Sequence, residues 1–322
     1  MGIHQETFND FNINFEALNE NGSFSSDDIM TGEISFVITK ITKIRSITIS
    51  PNGRALVLWT KRKRSRRTIT EKTYSAEVDF FDFCAVVLEE NTADGPTILQ
   101  PGTHVYPFTF KLPEGNFPST FHGVHGRVVY SLKVEIRRPW HLVKEFEVEF
   151  NYANHIDANH PKLLHPLSCS EETMVCCLWC ASGPVAMTAR LDRKGYVPGE
   201  TINIMCEFSN ASTRNATPTA SLMQHEKYST LAGSRKVDNK SLDSATGELV
   251  KSGNLQAYSE MSLTIPDTTF LSVSNCSIIE VVYTVLVTLS INWSSDVSVS
   301  VPIVICDIPV DSPDTDDFED CV

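Results

Sequence analysis

Along residues 128–137, apolar side chains recur at every second position. Val128, Tyr130, Leu132, Val134 and Ile136 are interleaved with Val129, Ser131, Lys133, Glu135 and Arg137. Successive side chains of a strand point to opposite faces, so a period of two fits a strand with one buried face and does not fit a helix. The pattern returns in Phe146, Val148, Phe150 and Tyr152, in Ile202, Ile204, Cys206 and Phe208, at every second residue from Ile279 to Ile291, and from Val297 to Ile305. No segment of comparable length carries a 3.6-residue apolar stripe. Pro51-Asn52-Gly53, Asp94-Gly95-Pro96, Pro101-Gly102 and Pro198-Gly199 read as turns between strands. Many short strands with such punctuation predict an all-β chain of antiparallel sandwiches, and the absence of a βαβ rhythm argues against a parallel sheet.

A chain of 322 residues is long enough for two domains with separate cores. The alternation lapses near residues 153–175, among His155, His160, Pro161, His165 and Pro166. This predicts a first domain over 1–155, a link over 156–175 and a second domain over 176–306. Residues 307–322 hold seven acids and no base, which predicts a disordered acidic tail.

The formal net charge is −13, yet Lys61, Arg62, Lys63, Arg64, Arg66 and Arg67 fall within seven residues. A nucleic-acid binder needs a broader basic footprint, so no nucleic-acid partner is expected. The run follows the apolar Ala55–Trp59 stretch and precedes the strand-like Thr73–Phe83 stretch, which places it on a hairpin tip. Clustered guanidinium groups suit phosphate, being planar, permanently charged and weakly hydrated. Phosphorylated receptor tails or, more weakly, an anionic membrane surface are the ligands this tip fits; a plain solvated loop is the alternative.

No P-loop, dinucleotide fingerprint or nucleophile elbow occurs, so no catalytic residue and no cofactor is expected. Cys177-Leu178-Trp179-Cys180 has no second Cys pair and no helix signal beside it; with Cys176 it reads as the start of a buried strand. His122 with His125, and His155, His160 and His165, have no metal-ligand spacing and read as loop histidines. Nine Cys is an odd number, and the opening MGIHQETFND lacks the basic and apolar regions of a secretory signal. Free thiols in the cytoplasm are therefore expected rather than a disulfide-bonded secreted adhesion protein. Glu6 stands where a myristoylation motif needs Ser or Thr after Gly2. Ser312-Pro313 and Thr315 read as kinase sites in a tail whose charge complements the basic run.

Particular stretches resemble the arrestin-domain-containing, or α-arrestin, family. Phe121-His122-Gly123-Val124-His125-Gly126-Arg127-Val128-Val129-Tyr130-Ser131-Leu132-Lys133-Val134 is similar to a signature of its amino-terminal domain, and Arg137-Arg138-Pro139-Trp140 continues it. Gly195-Tyr196-Val197-Pro198-Gly199-Glu200, then Asn210-Ala211-Ser212, resemble the opening of its carboxy-terminal domain. Asn275-Cys276-Ser277-Ile278-Ile279 with Tyr283, the closing Val301–Ile305 strand and the Cys176–Cys180 cluster resemble further stretches, the last seen in animal members. The likeness spans roughly residues 8–306 and extends to arrestin domain-containing protein 3-like members. Gly123, Gly126 and Gly199 read as fold positions that need positive φ.

The resemblance implies two Ig-like antiparallel β-sandwiches and a non-enzymatic adaptor. Its partners would be cytoplasmic tails of membrane receptors or transporters, and other arrestins, met at the plasma membrane or endosomes. Family members recruit ubiquitin ligases through Pro-Pro-x-Tyr motifs, but no two prolines are adjacent here, so a ligase would need another contact. One branch binds thioredoxin through a cysteine upstream of the Asn-Cys-x-Ile-Ile stretch, yet no Cys lies between Cys206 and Cys276. The alternative function is a cytosolic signalling or redox regulator that sequesters a soluble partner.

Overall fold

The computed structural model describes residues 7–16, 22–64, 69–90, 95–177, 180–292 and 294–311; Lys63, 175–177 and 180–182 are described by backbone alone. The chain forms two compact units. One comprises Met1–Asn154 with Tyr228–Arg235 and Asn275–Ile279; the other comprises His155–Lys227, Lys236–Ser274 and Glu280–Val322.

Among the described residues, twelve strands precede residue 154: β1 (Phe8–Glu16), β2 (Ser23–Phe24), β3 (Ile29–Ile38), β4 (Thr42–Ile44), β5 (Ser46–Arg64), β6 (Ile69–Asp82), β7 (Ala85–Glu89), β8 (Thr97–Leu99), β9 (Gly102–Lys111), β10 (Phe121–His122), β11 (Gly126–Arg137) and β12 (Lys144–Tyr152). They form a three-stranded sheet β1-β3-β9, a seven-stranded sheet β2-β12-β11-β5-β6 with β10 on β11 and β7 on β5, and a β4-β8 pair. β11 lies between β5 and β12, and the alternating set Val128, Tyr130, Leu132, Val134 and Ile136 is buried, as the period of two predicts. Aromatic rings fill the space between the two larger sheets: Phe11 of β1 stacks on Phe146 of β12 at 3.4 Å, and Phe15 meets Phe150 at 6.4 Å. On the other face of β11, Ser131 is also buried; its hydroxyl lies 2.9 Å from Asn52 Oδ1 and 2.6 Å from Glu147 Oε1, and its single hydrogen is donated to one of these acceptors.

Among the described residues, a four-residue helix α1 (Pro161–Leu164) and nine strands follow: β13 (Leu167–Cys177), β14 (Cys180–Leu191), β15 (Gly195–Tyr196), β16 (Thr201–Asn210), β17 (Ala216–Ser229), β18 (Arg235–Thr246), β19 (Ala257–Thr264), β20 (Ile279–Ile291) and β21 (Val297–Ile305). The sheets are β13-β14-β16-β19 and β15-β21-β20-β17-β18. Ile202, Ile204 and Phe208, and the odd-numbered apolar residues of β20 and β21, are buried as expected. The architecture is all-β, with each unit built of two main sheets.

Both units contain the same small device. Two-residue β2 runs parallel to β12, and two-residue β15 runs parallel to β21. A turn follows each, over Ser25–Asp28 and over Val197–Glu200, closed by backbone bonds Asp28 N to Ser25 O and Glu200 N to Val197 O. In each, the acid's carboxylate accepts from the turn's first N–H: Asp28 from Ser25 at 2.7 Å and Glu200 from Val197 at 3.0 Å. The third residue takes positive φ, 73° at Asp27 and 83° at Gly199. The Pro198-Gly199 turn is therefore type II, as expected. Its counterpart Ser-Ser-Asp-Asp shares no residue with Val-Pro-Gly-Glu.

Several expectations need correction. Pro51-Asn52-Gly53 is not a turn but lies inside β5. Pro51 falls where the second edge of β5 changes partner, from β7 (through Ile49) to β6 (from Asn52). A residue without N–H is tolerated at such a break. Gly53 admits the Tyr130 ring, which a Cβ there would meet at 2.5 Å. Gly123 and Gly126 are not among the positive-φ residues. They are required by close approach instead: a Cβ on Gly123 would lie 2.2 Å from Tyr228 Oη, and one on Gly126 2.8 Å from Leu56 O.

The expected link over 156–175 carries α1 and most of β13. β13 evaded the reading because it is an edge strand, polar on both faces at Ser168–Thr173. Residues 307–311 are not a disordered tail. Asp307 accepts from Ile156 N at 2.7 Å, Asp157 bridges Ile308, and Asn159 Nδ2 donates to Pro309 O at 2.9 Å. Residues 312–322, with Ser312 and Thr315, lie outside the described residues, as do residues 91–94 before Gly95.

Candidate functional site

The basic run occupies the far end of the β5–β6 hairpin. Register pairs Lys61 with Lys72, Arg62 with Glu71, Lys63 with Thr70 and Arg64 with Ile69. Arg66 and Arg67 lie outside the described residues. Paired residues share a face, and neighbours along a strand alternate. The described residues of the run therefore separate. Arg62 forms an ion pair with Glu71 on one face. Lys61 stands opposite Lys72 on the other, above the Trp59–Tyr74 stack at 5.4 Å, and Lys72 Nζ lies 4.9 Å over the Tyr74 ring.

Lys72 escaped sequence reasoning because ten residues of chain separate it from Lys61. The available signal was the hairpin register, counted back from Trp59 and Tyr74. Like charges directly opposite cost a few tenths to about 1 kcal/mol. A bound anion would offset that cost.

Towards the middle of the hairpin, a groove of about 530 Å³ opens between β5, β6 and the His122–Arg127 segment, lined among others by Leu56, Leu58, Ser75, Val124 and His125. Leu58 N donates to His125 O at 2.8 Å, which fixes the groove wall to β5. His122 and His125 both line this groove, and the His125 ring meets Tyr228 edge-on at 5.7 Å. His155 and His160 each have a separate local partner. His155 Nδ1 lies 2.5 Å from Asp307 Oδ2, and His160 Nδ1 accepts from Lys162 N at 3.3 Å at the start of α1. Among the described residues, no three His, Cys, Asp or Glu side chains are grouped to hold a metal ion.

The Cys177-to-Cys180 segment spans the junction of β13 and β14, with those two residues paired in register; the side chains of Cys176, Cys177 and Cys180 lie outside what is described. Burial pushes the thiols of Cys206 and Cys306 up to about 11, and raises that of Cys276. Cys84 is exposed. At pH 8 an alkylating reagent is expected to label Cys84 in the folded protein, and Cys206 and Cys306 only after denaturation. Peptide mapping by mass spectrometry checks this; prompt labelling of Cys206 would contradict its buried place in β16.

Residues 11–159 match the arrestin (or S-antigen) N-terminal domain, and residues 181–310 match the arrestin (or S-antigen) C-terminal domain. Arrestin domain-containing protein 4 is 30% identical over 290 residues in Mus musculus and over 291 in Homo sapiens, covering 89% of this chain and 69% of each relative. The chain belongs to the α-arrestin family. Thioredoxin-interacting protein of Mus musculus is also similar, 29% identical over 288 residues, covering 88% of this chain and 70% of that protein. Within this α-arrestin, the signature stretch Phe121–Val134 supplies β10, the groove segment and central β11. Asn210-Ala211-Ser212 closes β16. The family motifs are thus positions of the fold, and the basic hairpin lies outside them. No helix among the described residues is long and apolar enough to cross a membrane.

Proposed function

We propose that this α-arrestin is a non-enzymatic adaptor that binds phosphorylated cytoplasmic segments of membrane receptors or transporters. Binding brings cargo to the endocytic and sorting machinery, with recruitment from the cytoplasm to the plasma membrane or endosomes. One observation carries the reading: Lys61 faces Lys72 at an exposed hairpin end. A phosphate would bridge the two ammonium groups. A ubiquitin ligase would have to be met through a contact other than adjacent prolines, or through a second arrestin. The finer likeness to arrestin domain-containing protein 3-like members is part of this proposal.

The test is titration of a phosphorylated receptor-tail peptide against its unphosphorylated form. The native chain is expected to prefer the phosphorylated form. The K61S/K72S variant is expected to lose about tenfold in affinity per lysine removed. Replacing all six bases at 61–67 with Ser should abolish the preference. Equal affinity for both peptides, or native affinity in both variants, would end the proposal.

The second reading is sequestration of a soluble regulator, which the likeness to thioredoxin-interacting protein favours. The raised thiol pKa values of Cys206, Cys276 and Cys306 weigh against thiol exchange through those residues. A stable soluble partner retained after membranes are removed would favour it.

A further inference from the structure

The opposite end of the first unit has a different chemistry. Residues 138–143 join β11 to β12, and there Trp140 is 99% exposed and Leu142 92% exposed. Scattered exposed apolar residues are ordinary, but a solvated indole and a leucine two residues apart on a projecting tip are not. Trp140 also has φ 60°, a left-handed conformation unfavourable for a bulky side chain. The fold therefore holds the indole outward against both hydration and backbone preference.

Cations flank the tip: Arg137 and Arg138 before it, Lys144 after it. Arg138 lies 5.2 Å over the Phe8 ring. The adjoining carboxylates are matched within the sheet. Lys133 Nζ is 3.0 Å from both Glu135 and Glu145, and Arg137 is 3.1 Å from Glu135. Arg45 N donates to Arg137 O at 2.8 Å, which brings β4 and its lead-in to the same end. Ile41, just before β4, is 62% exposed, and Ile98, paired with Lys43, is 54% exposed.

A side chain that projects from a tip needs a partner with no preformed pocket, and a fluid bilayer is such a partner. Indole prefers the bilayer interface, leucine the acyl region, and arginine and lysine reach back to head groups. We propose that the β11–β12 tip is a membrane anchor. Trp140 and Leu142 enter the interface of an anionic bilayer while Arg137, Arg138 and Lys144 meet the lipid phosphates. This goes beyond the cargo reading and is independent of it. Register sets Ser46 beside Arg137, so Lys61 lies about 50 Å further along β5 at roughly 3.3 Å per residue. The phosphate site and the anchor are thus separate surfaces.

The experiment is co-sedimentation of the full chain with vesicles of phosphatidylcholine and phosphatidylserine, with quenching of tryptophan fluorescence by brominated lipid. The native chain is expected to bind and be quenched. W140S/L142S should bind at least about tenfold more weakly and keep its thermal melt, since both side chains are exposed. W140F should retain most of the binding. K61S/K72S should keep lipid quenching, and W140S/L142S should keep phosphopeptide affinity, so either proposal can fail alone. Native vesicle affinity in W140S/L142S, or no binding by the native chain, would overturn the anchor.

Discussion

Replacing Tyr130 with alanine is expected to lower the stability of the first unit by about 3–5 kcal/mol. The side chain is fully buried. Its ring lies 6.0 Å from Phe80, 5.9 Å from Phe81 and Phe150, and 4.4 Å from Tyr152. Its hydroxyl donates to Pro118 O, and burial raises its pKa far above the usual value, so it stays protonated as a donor. A slip in register explains how both phenylalanines reach it. Gly53 pairs with Phe81 and Arg54 with Asp79, leaving Phe80 unpaired at a bulge. Urea denaturation checks the size of the loss. Tyr130→Phe separates hydrogen bond from packing and should cost about 1–2 kcal/mol, because only the Pro118 carbonyl loses its partner. If Tyr130→Ala denatured at the native midpoint, the ring would not be the centre of this core.

The second large effect belongs to the other unit. Asn210→Ala is expected to cost about 3 kcal/mol, since it orphans several buried polar groups at once. Asn210 is fully buried at the end of β16. Its Nδ2 donates to Arg214 O at 2.8 Å and Lys251 O at 3.3 Å, and its Oδ1 accepts from Ser212 N at 3.1 Å and Ser212 Oγ at 2.6 Å. One amide thus ties the β16–β17 loop to the segment after Val250. Asn210→Asp keeps the acceptor and removes the donors, so it should be destabilising too. Hydrogen exchange should show the loss in residues 210–216 and 250–254. Protection there equal to the native chain's would contradict the network.

The family motifs and the functional surfaces were legible to different degrees. Asn210-Ala211-Ser212 and Gly195–Glu200 stood out as motifs, and the structure gives them packing and capping roles. The basic run stood out as a charge cluster and lies at a hairpin end, but its composition as a site changed. Arg62 is engaged by Glu71, and Lys72 joins Lys61. Trp140 was legible only as part of a motif; nothing in its neighbours announced that it would be exposed.

The sequence by itself determined the strands and their buried faces in β11, β12, β16, β20 and β21. A period of two is local: each side chain's face follows from its neighbour's, and hydrophobic burial then selects the face. The type II turn at Val197–Glu200 was equally local, set by the φ preferences of Pro198 and Gly199. Tertiary structure alone decided what depends on distant chain. Pro51-Asn52-Gly53 has the composition of a turn, yet partners from β6 and β11 hold it in a strand, and the Tyr130 ring demands the glycine. Gly123 and Gly126 look like glycines of conformation and prove to be glycines of space, because Tyr228, some hundred residues later, lies against them. Asp307–Asp311 has the composition of a free tail, but backbone pairing with residues 156–159 fixes it. Hydrogen-bond partners across a sheet are chosen by non-local closure, which no window of sequence encodes.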